Sequence, residues 1–220
     1  MRAEIKFCGL TRPEDAAMGA SLGAGYLGVI LAPSARRVSV EEGRAVLAGA
    51  GGVRAKRVGV FAGWEADAVA RAAEALALDV VQLHGAGEGV MAEWVRARLP
   101  VIVWNVIHVD VGVSPAEALA RLPEHSWGDA TLLDARVDGL LGGTGRSFDW
   151  EGARASLAAL REMGPIILAG GLDPDNVALA IATLAPDVVD VSSGVESSPG
   201  IKDHARMRAF ADAVHGAPFR

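Results

Sequence analysis

The sequence predicts a single closed (β/α)₈ barrel that spans residues 1–220. Short apolar runs rich in β-branched residues alternate with alanine-rich amphipathic runs from end to end, as expected of parallel strands covered on both faces. Counting gives eight strand–helix units of about 27 residues, close to the minimum for such a unit. No Pro/Gly/Ser-rich linker divides the chain. A doubly wound open sheet is the alternative, but no Gly-x-Gly-x-x-Gly follows the first strand.

The predicted strands cover residues 4–8, 26–31, 55–61, 80–84, 101–107, 130–134, 165–169 and 188–192. Helices are predicted over residues 13–22, 64–76, 173–182 and 204–214. Thr11, with Glu14 three positions later, predicts a capped start for the first helix. Pro174 is expected in the first turn of the helix over 173–182, where a missing N–H costs little. The helix over 64–76 is expected to share one apolar face among Ala68, Ala72, Ala75 and Leu76.

Composition excludes several classes of function. Hydrophobic residues make up 51% and charged residues 22% of the chain, as in ordinary globular proteins. The net charge of −6 gives no general attraction to nucleic acid or to an anionic membrane surface. No apolar stretch approaches the roughly 20 residues of a membrane span, and the first residues lack a secretory signal. With one cysteine, the expected compartment is the cytoplasm. The scarcity of lysine and amide residues suits a thermophile or a GC-rich genome equally.

Chemistry in such a barrel lies at the carboxyl ends of the strands. Strands seven and eight end in glycine-rich loops that contain Gly171 and, in the second loop, Ser193 and Gly194. Glycines let backbone N–H groups approach an anion, and barrels commonly bind phosphate at these two loops. The alternative is a tight turn. The loop that ends at Gly145 is either a lid over a ligand or a long connection.

Cys8 is the only cysteine, so it forms no internal disulfide and offers a poor metal site. It is either an inert packed thiol or a chemically used one. Lys6 has the same strand parity, so both side chains are expected to face the barrel interior. A buried ammonium needs a carboxylate, which Glu4, Asp134 or Asp190 could supply. A nearby Lys6 would lower the pKa of the thiol.

Three further side chains follow strand ends. Partial desolvation of Asp134 would raise its pKa and favour a general-acid role, whereas its ordinary role is a cap. Arg36 suits a substrate carboxylate, which guanidinium binds through two parallel hydrogen bonds; alternatively, Arg36 and Arg37 are a solvated loop pair. His84 is expected to be a hydrogen-bonded interior histidine rather than a catalyst.

Taken together, the strand ends resemble the phosphoribosylanthranilate isomerase family. The motifs occur in order along the whole chain: KFCGLT at 6–11, VQLHG at 81–85, LDA at 133–135, GGTG at 142–145, FDW at 148–150, AGGL at 169–172 and DVSSGVE at 190–196. Each motif is weak alone, but the ordered set is specific.

The resemblance implies an Amadori rearrangement in tryptophan biosynthesis, in which N-(5-phosphoribosyl)anthranilate becomes 1-(2-carboxyphenylamino)-1-deoxyribulose 5-phosphate. It implies Asp134 as general acid, Cys8 as general base and Arg36 as the receptor of the anthranilate carboxylate. It also implies phosphate binding near Gly145, Gly171, Ser193 and Gly194, with Lys6 and His84 in support. No metal or organic cofactor is implied. The only expected partners are the phosphosugar substrate and, in a homodimer rather than a monomer, a second copy.

Two departures from the family pattern concern the binding pocket. The fifth strand lacks a lysine often found there, and Arg37 occupies a position that is often aromatic. The alternatives are another phosphosugar barrel or a catalytically silent phosphate-binding barrel. An imidazole-carboxamide ribonucleotide isomerase would carry a carboxylate where strand one offers Cys8. An indole-glycerol-phosphate synthase would carry a catalytic lysine low in the barrel and an N-terminal extension.

Overall fold

Eight parallel strands close into a barrel. A computed structural model of the chain describes residues 2–52, 54–84, 89–109, 128–135, 161–162 and 164–217. The strands are β1 (Glu4–Phe7), β2 (Tyr26–Ile30), β3 (Lys56–Phe61), β4 (Val80–Leu83), β5 (Ile102–Val109), β6 (Ala130–Ala135), β7 (Ile166–Ala169) and β8 (Val188–Val191). Each strand pairs with the next, and β8 pairs with β1, with Lys6 opposite Asp190. The predicted barrel is confirmed and the open sheet is excluded.

Helices cover the outside of the barrel. They are α1 (Pro13–Ser21), α2 (Val40–Ala48), α3 (Ala66–Leu76), α4 (Gly89–Arg98), α5 (Val177–Leu184) and α6 (His204–Gly216). A 3₁₀ turn (Ser193–Val195) follows β8 and leads into a hairpin of β9 (Glu196–Ser198) and β10 (Ile201–Lys202). Across the described ranges, no helix has the length and apolar character needed to cross a membrane.

The core has two layers because each strand alternates its side chains between the two faces of the sheet. One apolar cluster fills the interior of the barrel and includes Tyr26, Val58, Val80, Trp104 and Ile167. The other lies between the strands and the helices and includes Phe7, Leu27, Leu47, Leu76 and Phe210. Both faces of the strands are therefore buried, which explains their nearly continuous apolar sequences.

Helix α1 starts at Pro13 as predicted, but its capping residue and the start of α5 differ from the sequence prediction. Thr11 does not cap α1: the N-cap is Arg12, and the Thr11 hydroxyl donates a hydrogen bond to Gly200 O in the β9–β10 hairpin. Helix α5 begins at Val177 rather than 173, so Pro174 precedes it. Asp173 N donates to Asn176 Oδ1, and Asp173 Oδ1 accepts from Asn176 N. These side-chain hydrogen bonds close a turn that competes with the first helical turn.

The buried face of α3 is also rotated from the predicted one. It consists of Val69, Ala72, Ala73 and Leu76, whereas Ala68 and Ala75 are only partly buried. Val69 and Leu76 bury the most apolar surface on this helix, and they set its orientation.

Candidate active site

A cavity of about 590 Å³ opens at the carboxyl ends of the strands. Its volume suits a drug-sized ligand. Side chains and backbone from seven strand ends line it, including Cys8, Arg36, Gln82, His84, Asp134, Gly170, Gly171, Asp190, Ser192 and Ser193. The structure thus brings together the thiol, the acid, the arginine and the loops after β7 and β8. Gly145 lies outside the described residues, as does the rest of its loop.

Cys8 directly follows β1 and is 7% exposed. Gly9 continues the chain with φ +66, a conformation that glycine adopts without strain. A Cβ atom at Gly9 would lie 2.6 Å from Arg36 Cδ and 2.9 Å from Ser192 Oγ. The glycine therefore lets the loops after β2 and β8 converge beside the thiol.

Lys6 and Asp190 form a buried ion pair beneath the cavity. Their Nζ and Oδ2 atoms are 2.7 Å apart, and the side chains are 0% and 8% exposed. Burial opposes charging of Lys6, but Asp190, assisted by Cys8, outweighs burial and raises the lysine pKa above its ordinary value. The prediction that Lys6 faces the barrel interior with a carboxylate partner is confirmed, and the partner is Asp190.

Lys6 lowers the pKa of the Cys8 thiol, as predicted, but the net shift of the thiol pKa is upward. Burial raises the pKa of Cys8, and this effect exceeds the lowering caused by Lys6, with which the thiol shares a hydrogen bond. The nearby Asp190 raises the pKa further. In the unliganded protein at neutral pH, Cys8 is therefore a neutral thiol.

Replacing Lys6 by methionine is expected to lower the free energy of unfolding by about 3–5 kcal/mol, because it leaves the Asp190 carboxylate buried without its partner. Urea denaturation monitored by circular dichroism measures this loss. The double variant Lys6→Met/Asp190→Asn removes both charges and should recover most of the stability. An unchanged stability of Lys6→Met would contradict the buried ion pair.

Asp134 lies at the end of β6 between two histidines. Its Oδ2 is 3.9 Å from His84 Nε2 and 3.5 Å from His108 Nδ1, and the two imidazoles meet edge to face. Burial, with His108, lowers the pKa of His84, so this imidazole is neutral at pH 7. His84 is about one third exposed and lines the cavity. It is not the interior histidine that the sequence suggested.

The three donor atoms of His84, His108 and Asp134 lie within 4.8 Å of one another. A tetrahedral zinc ion at about 2.0–2.1 Å from each ligand requires ligand atoms only about 3.4 Å apart. The cluster is wider than this, since His84 Nε2 lies 3.9 Å from Asp134 Oδ2, and these two side chains line the cavity. The arrangement suits proton exchange with a ligand better than it suits tetrahedral zinc.

Arg36 is not a solvated loop residue. Its Nε and Nη2 donate to the two oxygens of Glu196 at 2.7 Å each, and Glu196 is only 4% exposed. Lys202 Nζ donates to Glu196 Oε1 at 2.9 Å and to Ser192 O at 3.0 Å. This network could not be foreseen from the sequence, because β9 and β10 are too short to recognise as a hairpin.

The loops after β7 and β8 pack against each other. Gly170 and Gly171 have φ +93 and +65, and Asn176 Nδ2 fixes the turn through Gly171 O. A Cβ atom at Gly194 would lie 1.9 Å from Leu172 O, so the loops approach too closely for any side chain there. Glycine-rich loops followed by a helical turn are a common place for backbone N–H groups to bind an anion.

Two buried acceptors at the cavity, Gln82 Oε1 and Asp190 Oδ1, have no hydrogen-bond partner among the described residues. An unpaired buried acceptor is costly, and a ligand hydroxyl would satisfy it. The site thus combines a carboxyl group, a thiol, a guanidinium, two glycine-rich loops and two unpaired hydrogen-bond acceptors.

These features define a phosphosugar-binding (β/α)₈ barrel with groups for acid–base chemistry. Residues 5–213 match the family model of N-(5'-phosphoribosyl)anthranilate (PRA) isomerase. The chain belongs to this family, the isomerases that act on phosphoribosylanthranilate in tryptophan biosynthesis.

Individual relatives agree with the family match. The chain is 42% identical over 207 residues to N-(5'-phosphoribosyl)anthranilate isomerase of Geobacter sp. (strain M21), covering 94% of this chain and 95% of that protein. A phosphoribosylanthranilate isomerase in complex with reduced 1-(o-carboxyphenylamino)-1-deoxyribulose 5-phosphate superposes with a TM-score of 0.80 at 30% identity, over 97% and 99% of the two chains. Monomers generated from the dimeric phosphoribosylanthranilate isomerase of Thermotoga maritima superpose with a TM-score of 0.76 at 32% identity, over 97% of this chain and 99% of that chain.

Proposed function

We propose that the protein catalyses, in this cavity, the rearrangement of N-(5-phosphoribosyl)anthranilate to 1-(2-carboxyphenylamino)-1-deoxyribulose 5-phosphate. Asp134 acts as general acid and Cys8 as general base. The observation that carries these roles is that both side chains face one cavity. Arg36 lines the same cavity, as do the glycine-rich loops after β7 and β8. A substrate with a carboxylate at one end and a phosphate at the other would span it and place its sugar carbons between acid and base.

The first step is opening of the ribose ring. Asp134 donates a proton to the ring oxygen, the C1′–O bond breaks, and the nitrogen lone pair forms a C1′=N iminium. The proton must reside on Asp134 beforehand, and a charged imidazole nearby would stabilise the carboxylate instead. The lowered pKa of His84 keeps its imidazole neutral and removes this opposition.

Cys8, as a thiolate whose own proton has passed to solvent, then removes the proton from C2′. The electrons of the C2′–H bond form C1′=C2′ and neutralise the iminium nitrogen, which gives an enolamine that tautomerises to the ketone. The positive iminium would lie close to the buried thiol and favour its thiolate form. The substrate would therefore supply the additional positive charge that stabilises the thiolate, because Lys6 alone does not stabilise it enough in the free protein.

The remaining contacts hold the substrate. Arg36 would bind the anthranilate carboxylate, and backbone N–H groups near Gly171, Ser193 and Gly194 would bind the phosphate. Asp190 Oδ1 and Gln82 Oε1 would accept hydrogen bonds from sugar hydroxyls. These fixed contacts at both ends orient the reacting carbons, which is a major source of catalysis for a unimolecular rearrangement.

The direct test is turnover of phosphoribosylanthranilate generated in situ, followed by the loss of its fluorescence and by identification of the ketose product. The expected result is consumption of substrate without added metal or cofactor. Tight binding of phosphate ligands without turnover would instead support a catalytically silent binding barrel. We propose a monomer or homodimer as the active form, and sedimentation during turnover distinguishes them.

Replacing Gly194 by alanine is expected to raise the Kd for inorganic phosphate and the KM for substrate by about 10-fold or more, since the new Cβ would force the two loops apart. Calorimetric titration with phosphate measures the effect. The control is Gly52→Ala, where a Cβ meets nothing within 4 Å. Equal phosphate affinity in both variants would refute the phosphate role of these loops.

A further inference from the structure

The Arg36 guanidinium is held by one edge and leaves the other free. Nε and Nη2 form a two-point contact with Glu196. The outer edge, formed by Nη1 and the second N–H of Nη2, has no partner among the described residues. A planar guanidinium presents a carboxylate-matching pair of donors on each such edge. The Glu196 carboxylate therefore fixes the plane in which Arg36 can bind a second carboxylate, that of a ligand.

Glu196 is itself immobilised. Lys202 Nζ donates to Glu196 Oε1, and the backbone N–H of Gly200 does so at 3.3 Å. Burial opposes ionisation of Glu196, but hydrogen bonds from Arg36 and Lys202 outweigh it and hold the carboxyl pKa below its ordinary value. Glu196 is therefore an anion at neutral pH, and it is paired with Arg36 on one side and Lys202 on the other.

The hairpin that carries Glu196 and Lys202 is fixed to the start of α1. Thr11 donates to Gly200 O, Arg12 donates to Lys202 O, and Lys202 N donates to the buried Asp15. Lys202 Nζ also bonds to Ser192 O, directly before the loop proposed to bind phosphate. One set of contacts thus joins the carboxylate receptor to the phosphate loop, and it fixes the distance between them.

We propose that Glu196, supported by Lys202, is a positioning residue that aims the free edge of Arg36 at the aryl carboxylate and so selects phosphosugars that carry an ortho-carboxylated arylamine. This role rests on the proposed function of the cavity. Glu196 has no part in the proton transfers, because Cys8 and Asp134 perform them. Its contribution is confined to substrates that possess the carboxylate.

The test compares two substrates, phosphoribosylanthranilate and the corresponding phosphoribosylaniline, which lacks the carboxylate. For Glu196→Gln, KM for the carboxylated substrate is expected to rise about 10- to 100-fold, the range for a lost charged hydrogen bond. For the aniline substrate, the same variant should change KM by less than about threefold, which is within the range of a minor perturbation. The rate constant kcat with the carboxylated substrate should stay near that of the wild type.

Further variants separate positioning from folding. Glu196→Asp keeps the charge but withdraws it by one methylene, so it should show an intermediate penalty, again only with the carboxylated substrate. Asp187→Asn is the control, because Asp187 caps Ile166 N at the opposite rim. Any change in KM caused by Asp187→Asn should be equal for both substrates. If Glu196→Gln does not fold, Glu196→Asp decides the question alone.

Two outcomes are informative in different ways. An equal penalty with both substrates, or an unchanged KM for the carboxylated one, would overturn the positioning role and leave Glu196 a purely structural residue. Failure of the wild type to turn over phosphoribosylanthranilate would instead refute the proposed function. The two failures are therefore distinguishable in one set of assays.

Discussion

Replacing Cys8 by alanine is expected to lower kcat by about 10²- to 10⁴-fold, the usual contribution of a positioned general base. Lys6, the amine next to Cys8, is committed to Asp190 and does not replace the thiol. The coupled fluorescence assay measures the loss. Cys8→Ser should be almost as slow, since a hydroxyl is a far weaker acid than a thiol.

The pH dependence supplies an independent readout of the same residue. Because burial raises the pKa of Cys8, the ultraviolet absorbance of its thiolate in the free protein, taken as the difference from Cys8→Ser, should grow only as the pH rises into the alkaline range. A plateau that begins below pH 7 would contradict a raised thiol pKa. Substantial activity in Cys8→Ala, with unchanged circular dichroism, would remove Cys8 from the mechanism.

Replacing Asp134 by asparagine is also expected to lower kcat by about 10²- to 10⁴-fold, because the amide cannot donate the proton that opens the ring. Substitution of Asp134 slows ring opening, whereas substitution of Cys8 slows removal of the C2′ proton. With substrate deuterated at C2′, the Asp134 variant should show an isotope effect close to one, because ring opening becomes rate-limiting. The Cys8 variants should show a large effect, since removal of the C2′ proton is then slow.

Asp79→Asn is the matched control for Asp134. Asp79 accepts a hydrogen bond from Arg57 N at the amino end of the barrel, where substitutions affect stability rather than chemistry. Its kcat should stay close to wild type. A large isotope effect in Asp134→Asn would contradict the assignment of ring opening to this residue.

The barrel and the catalytic rim were predictable from the sequence for a simple physical reason. Strands buried on both faces have continuous apolar sequences, and polar residues directly after them must lie at one end of the barrel. Cys8, His84 and Asp134 were found in this way. Their burial and charges were not predictable, because these depend on neighbours from distant strands, such as Asp190 beside Lys6.

The surroundings of Arg36 were only partly predictable. Arg36 follows a strand end, but its partner Glu196 is 160 residues away and lies on a three-residue strand without apolar periodicity. The prediction of where α5 starts failed for a different reason. Pro174 favours a first helical turn, yet hydrogen bonds between Asp173 and Asn176 are equally local and stabilise a separate turn.

The pairing of Lys6 with Asp190 joins the first strand of the barrel to the last. During synthesis, β1 leaves the ribosome long before β8. Until β8 docks, Cys8 lacks the Asp190 carboxylate, the loop after β8 and the hairpin that holds Arg36. Catalytic competence is therefore acquired only at closure of the sheet, and a chain truncated before β8 would retain its thiol and its acid without an assembled site.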